Sequence, residues 1–333
     1  MAVANHEGSK ILFPSSFLTY SDEMKNENGG QHANVVGEDI PDIAYQSVTI
    51  TSRTNTQPIS AIGYQGVAAI SDLVGTVEVA MEGILCYASG VYTAAGTSAK
   101  GLLDKDLYDF TSQWGGIVVQ TKGQDTSDGT TQTDTGRQCC AYGMFLTSVS
   151  YTFQQNTNVT TTWNFVGYNC VWADLTATTI TPVVGTGINL VPLTSQHIDI
   201  DLFYHNVSVP VDGVQSVTFN ATLNRDEVFE LGTKGPFDRP VRFPFEVTAS
   251  VEVLADYADM LNEVTPTYTW NNESTPSTPN SIKIFVYRKN SVGTRIAKIC
   301  GAPYQRPTEG SLRVAVGANS TSTINTTGWL FEL

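Results

Sequence analysis

Residues 245–253 read FEVTASVEV, and this stretch decides the fold class. Phe245, Val247, Ala249, Val251 and Val253 fall on one parity; Glu246, Thr248, Ser250 and Glu252 fall on the other. A period of two is the signature of a strand with one face in a core and one in water, because successive side chains on a strand point to opposite faces. Working outward, residues 214–223 (VQSVTFNATL) repeat the pattern, with Val217, Phe219, Ala221 and Leu223 opposed to Ser216, Thr218, Asn220 and Thr222. Further upstream, Val149, Tyr151 and Phe153 alternate with Ser148, Ser150 and Thr152. A polar turn at 154–158 then leads to a return strand carrying Trp163 and Phe165 against Thr160, Thr162 and Asn164. Val77, Val79 and Met81 alternate with Glu78, Ala80 and Glu82, and Ile198, Ile200, Leu202 and Tyr204 alternate with Asp199, Asp201 and Phe203. Four more strand candidates lie at 282–288, 295–299, 312–316 and 329–331. About a dozen strands with turn residues between them predict an all-β antiparallel sandwich or barrel with minor α content. One short helix is expected at 102–114, where Leu103, Leu107 and Phe110 recur at helical spacing before Gly115 and Gly116. Residues 1–44 read as an extended arm, 121–138 and 173–195 as polar loops. The remainder, 45–333, is one β unit with inserted loops or two β halves at about 45–175 and 196–333.

Composition bounds the function. The chain has 333 residues, 41% of them hydrophobic and 15% charged; an average soluble domain is about 25% charged. The net charge is −14, so the basic footprint of a nucleic-acid reader is missing. The charge is segregated: residues 1–280 carry a net −19 and residues 281–333 a net +5, an arrangement suited to head-to-tail contact between copies. The five cysteines (Cys86, Cys139, Cys140, Cys170 and Cys300) form no CxxC and are read as thiols of a reducing cytoplasm. No signal peptide and no membrane span are expected.

Candidate catalytic constellations are weak. His197, Asp199, Asp201 and His205 share a strand parity that suits a metal, yet alternate residues on one strand do not converge without help from another strand. Asp125, Asp128 and Asp134 miss the spacing of a calcium loop. Asp226 and Glu227 sit at a strand end, where they bound a turn, and no nucleophile elbow or phosphate-binding loop occurs. No catalytic residue, metal or cofactor is therefore assigned, and no enzyme activity is expected.

The wet strand faces carry Thr, Ser, Asn and Glu with almost no Lys or Arg. Each cation that neutralises a phosphate adds affinity, so a wall that conducts a polyanion should lack them. On this argument Glu246, Thr248, Ser250, Glu252, Ser216, Thr218, Asn220 and Thr222 are candidates to line a lumen, with Glu78 and Glu82 next.

Two stretches resemble the tail tube (major tail) proteins of tailed bacteriophages. Residues 143–172, GMFLTSVSYTFQQNTNVTTTWNFVGYNCVW, give a strand, a polar turn, a Thr-rich return strand and a Trp. Residues 214–254 give a Gln-Ser-Val strand, then Asn224-Arg225, Glu230-Leu231-Gly232, a Gly235-Pro236 turn and the strand after Pro244. The resemblance implies a β-barrel or sandwich subunit with a flanking helix, closing with its copies into hexameric rings stacked head to tail as a conduit for the genome. It implies as partners the chain itself and other tail proteins (terminator, baseplate, tape measure, a sheath where one exists). DNA would pass without specific binding, no membrane would be bound, and the location would be the virion after assembly in the host cytoplasm. Lys234, Arg239, Arg242, Arg288, Lys289, Arg295 and Arg313 are then the candidate contacts between subunits. Two other readings compete: a head-decoration or receptor-binding β module, recognised by discrete trimers, and a β-scaffold glycosidase, which needs two convergent carboxylates.

Overall fold

The computed structural model describes residues 16–21, 43–54, 56–60, 62, 66–72, 75–88, 115–121, 137–174, 190–204, 207–209, 213–231, 236–254, 282–289, 293–313 and 321–328. Among them are nineteen strands and a single turn of 3-10 helix at Ser195–His197. In chain order the strands are β1 (Ser16–Ser21), β2 (Ile43–Arg53), β3 (Thr56–Ile59), β4 (Ala69–Asp72), β5 (Thr76–Ala88), β6 (Gly115–Thr121), β7 (Arg137–Gln154), β8 (Thr160–Gly167), β9 (Asn169–Asp174) and β10 (Leu190–Pro192). There follow β11 (Ile198–Tyr204), β12 (Val207–Val209), β13 (Val214–Thr222), β14 (Val228–Phe229), β15 (Pro236–Asp238), β16 (Glu246–Leu254), β17 (Ile282–Lys289), β18 (Arg295–Arg313) and β19 (Thr321–Gly328). The protein is all-β and antiparallel. The helix expected at 102–114 and most of the loop expected at 121–138 lie outside the described residues. Of the expected arm, Ser16–Ser21 is a strand paired to β6. No helix among the described residues is long and apolar enough to cross a membrane.

Fifteen strands share one sheet, whose main path runs β5-β8-β7-β13-β16-β19-β18-β17-β11-β12, with β2 and β10 also paired to β5. The sheet is not closed among the described residues: β2 pairs only with β5, and β12 only with β11. It does wrap. Asn158 bridges to Thr194, and the Asn156 backbone N–H donates to Ser195 Oγ at 3.4 Å. The start of β11 therefore reaches the β7–β8 turn, although five strand steps separate β11 from β13 along the sheet. A sheet of this width curls because each strand is twisted against the next.

Curling brings the apolar parity of nearly every long strand into one core. Val77, Val79 and Met81 of β5, Trp163 and Phe165 of β8, and Val149, Tyr151 and Phe153 of β7 join Val217 and Phe219 of β13 and Val247 to Val253 of β16. Ile282, Ile284 and Val286 of β17 and Leu202 of β11 complete it. Trp163 meets Tyr151 edge-on at 6.1 Å, and Phe153 meets Phe219 edge-on at 6.2 Å. Each such buried side chain contributes about 1.5–3 kcal/mol.

β7 is long enough to serve two ladders. Its first half pairs with β6 and β9, its second half with β13 and β8. The division falls at Gly143, where φ is +58°, a backbone angle that favours glycine. A Cβ there would meet the Tyr168 ring at 2.6 Å, so the missing side chain also admits that ring between β8 and β9. The hairpin β3–β4 stands apart as its own two-stranded sheet, with Ile59 and Ile70 exposed.

Candidate functional site

The polar parities of six adjacent strands, β5, β8, β7, β13, β16 and β19, fall in register as rows across the face opposite the core. One row runs Glu82, Thr162, Ser150, Asn220, Thr248, Thr327. The next runs from Thr160 through Thr152, Thr218 and Ser250 to Asn325. A third links Gln154, Ser216, Glu252 and Thr323, and a fourth links Ala80, Asn164, Ser148, Thr222 and Glu246. All ten residues singled out from the sequence lie on this one face: Glu78 and Glu82 on β5; Ser216, Thr218, Asn220 and Thr222 on β13; Glu246, Thr248, Ser250 and Glu252 on β16. Each is exposed or half-buried.

Side chains tie neighbouring strands together along the rows. Ser47 donates to Glu82 at 3.1 Å and Asn164 to Ser148 at 2.8 Å. Ser216 donates to Glu252 at 3.1 Å, and Ser250 to the Asn325 carbonyl oxygen at 2.8 Å. The face carries four carboxylates, and no Lys or Arg stands on it between β5 and β19 among the described residues. Cations appear at its margins: Arg53 on β2 pairs with Glu78 at 3.3 Å, and Arg306 on β18 lies opposite Thr327. The face is therefore a wide hydroxyl and amide surface with a net negative charge. Ala80, Ile84, Val166 and Leu254 are its apolar interruptions.

The candidate contact residues separate into distinct environments. Arg239 is 2% exposed and pairs with Glu227 at 2.8 Å, and Arg288 is also buried. Both are buried within the single chain, unlike the exposed Arg242 and Arg313. Arg242 is exposed and forms an ion pair with Asp226. Arg295 bridges Asp199 and Asp201 and lies 4.7 Å from the Tyr287 ring centroid. These hydrogen bonds hold its guanidinium above the ordinary arginine range. Lys289 is half-buried and Arg313 exposed; Lys234 lies outside the described residues. The parity shared by Asp199 and Asp201 thus receives an arginine from β18. His197 turns back to the Thr194 hydroxyl at 3.0 Å, and His205, Asp125, Asp128 and Asp134 lie outside the described residues.

Asp226 and Glu227 sit in the loop after β13, as the sequence places them, and each closes on an arginine of the 239–242 segment. Behind them Arg225 donates to the Leu146 carbonyl at 2.7 Å and to the Arg239 carbonyl at 2.7 Å. Burial, helped by the charge of Arg239 and opposed by that of Asp238, pushes the Arg225 guanidinium down to about 10. Burial likewise lowers Arg239, opposed by Glu227. This cluster borders a hollow of about 650 Å³ that also touches Thr51, Glu78, Ser148 and Thr222. A second hollow, of about 470 Å³, lies where the start of β11 meets β7 and β13.

No protein-family model matches the chain, and no curated protein matches it.

Sequence reasoning missed one strand of the face. Thr321, Thr323, Asn325 and Thr327 extend it on β19, whose opposite parity carries Ser322, Ile324, Thr326 and Gly328. Only Ile324 breaks the polar run, so alternation was invisible there. Thr326 repays its burial through its hydroxyl, which lies 3.0 Å from the carbonyl oxygen of Ala249 and 3.1 Å from Gln305 Oε1 and donates its single proton to one of them at a time.

Proposed function

We propose that the chain is a structural, self-assembling subunit of a tail-tube type, forming stacked hexameric rings whose polar, anionic sheet face walls a conduit for genomic DNA. The observation that carries this reading is the cation-free face spanning six hydrogen-bonded strands. DNA adheres to proteins chiefly by exchanging condensed counterions for Lys and Arg. A hydroxyl- and carboxylate-lined wall keeps the counterions on the DNA and leaves water between the two, so the polymer slides.

Three further features support assembly. The open sheet leaves β2 and β12 with a free side among the described residues, and edges of this kind are ready to pair with another chain. The β3–β4 hairpin exposes Ile59, Ile62, Val67 and Ile70, apolar side chains that suit burial against a second copy. The exposed Arg313, in the basic last segment, is available to an acidic neighbour. In this reading the subunits together form the closed tail-tube barrel, and no catalytic role is assigned.

Electron microscopy of the purified full-length chain tests the proposal. Hollow tubes or six-fold rings are expected. Discrete trimers would point to a decoration or receptor-binding module, and monomers that stay monomeric at high concentration would end the reading.

A further inference from the structure

Among the described residues β9 pairs only with β7, and one point of that ladder holds two thiols. Ala141 lies opposite Cys170 and Cys139 opposite Trp172, so Cys139 and Cys170 are diagonal neighbours on the same side of the ladder. Their sulfurs are 3.0 Å apart, and neither is in a disulfide. A disulfide bond measures about 2.05 Å, so the sulfurs need to close by about 1 Å to bond. Their environments differ. Cys139 is buried at 1% exposure, whereas Cys170 is half-buried and reachable from solvent.

We propose that Cys139 and Cys170 form a redox modification site, at which a small-molecule disulfide converts the thiol pair into an intrachain disulfide that staples β9 to β7. The hydrogen bond from Cys139 favours the Cys170 thiolate and outweighs the opposing effect of burial, so the Cys170 thiol lies below its ordinary value. Cys300 is the contrast: full burial pushes its thiol well above the ordinary value.

The chemistry balances by thiol–disulfide exchange. Cys170 gives its proton to water, and its thiolate attacks one sulfur of the small disulfide RSSR, releasing RS⁻ and leaving Cys170 as a mixed disulfide. Cys139, already in contact, loses its proton and attacks Cys170 Sγ, expelling the second RS⁻. Two protein thiols are oxidised, RSSR is reduced to two RSH, and the released protons reside on the leaving thiolates. A chain made in a reducing cytoplasm folds as the dithiol and acquires the staple once it meets an oxidising medium. The inference stands on the β7–β9 geometry and does not depend on the conduit reading.

The experiment uses the native full-length protein with excess oxidised glutathione, followed by acid quenching, alkylation and peptide mapping. The expected product is a Cys139–Cys170 link without retained glutathione, reversible by dithiothreitol, with Tm a few degrees above that of the reduced chain. C139S is expected to stop at one glutathione on Cys170, and C170S to take up none at this site. The wild-type arm decides the matter alone if a variant does not fold. Glutathione retained on Cys170 in the wild type, a link through a different cysteine, or two unmodified thiols under conditions that oxidise the denatured chain would each overturn the proposal.

Discussion

Arg225 Nε donates to the Leu146 carbonyl at 2.7 Å, joining residues 79 positions apart in the sequence. The same guanidinium lies 5.2 Å from the Phe145 ring centroid and caps the Arg239 carbonyl, so one side chain holds the β13–β14 loop against β7 and the 239–242 segment. Arg225→Met keeps the apolar stem and removes the donors. The expected cost is about 3 kcal/mol, because two carbonyls lose their partners in a partly buried site. Urea unfolding checks this, and a loss under 1 kcal/mol would show that water replaces the guanidinium at little cost.

Gly143 and Tyr168 give a second test. Gly143→Ala is expected to destabilise by about 1–2 kcal/mol from the left-handed backbone alone, with more from the clash against the Tyr168 ring. Tyr168→Ala in the same chain relieves the steric part only. A double-mutant cycle should therefore show coupling between the two sites, and strict additivity would contradict the geometry.

Glu246→Lys with Glu252→Lys places cations in the middle of the polar face. Assembly is expected to survive, because Glu246 is exposed and Glu252 half-exposed, and the lost Ser216–Glu252 hydrogen bond is worth about 1 kcal/mol. Passage of DNA is expected to slow, more so at low salt. Infectivity of particles carrying the double variant, together with DNA release rates at two ionic strengths, supplies the measurement; unchanged release would argue against a luminal position for β16.

Arg295→Ala removes the partner of Asp199 and Asp201. The arginine side chain is 42% exposed, so solvent screens the interaction and the expected cost is about 1 kcal/mol. The deficit should shrink as salt rises, which thermal melts at two ionic strengths would reveal. A salt-independent loss would place the effect in the stacking of Arg295 on Tyr287.

The β class was legible wherever a strand carries large apolar residues on alternate positions. FEVTASVEV and VQSVTFNATL are adjacent strands whose register pairs Thr218 with Ser250 and Asn220 with Thr248, a match that follows from aligning their apolar parities. The polar face was legible for the same reason. β19 was not, because its inward positions are filled by Ser322, Thr326 and Gly328, which only neighbouring strands make into core. Residues 295–299 and 312–316 read as two strands around Gly301, Pro303 and Pro307. The structure joins most of this span into one β18, with its register against β19 shifting between Pro307 and Glu309. The partners of Arg225 and Arg239, and the meeting of Cys139 with Cys170, depend on long-range register that no local pattern encodes. The open sheet likewise departs from a closed barrel within one subunit, because closure is set by strand count and stagger rather than by alternation.

β7 has a mechanical consequence. It is the shared centre of two ladders, so a pull applied at β6, once carried across the β6–β7 hydrogen bonds, enters the main sheet through the covalent backbone of β7. Gly143, with its positive φ, marks where the two ladders divide along that strand. Force applied at β6 is expected to open the β6–β7 ladder before it shears β8 or β13, whose apolar faces are packed in the core, giving the protein a weak first yield and a stiff second one.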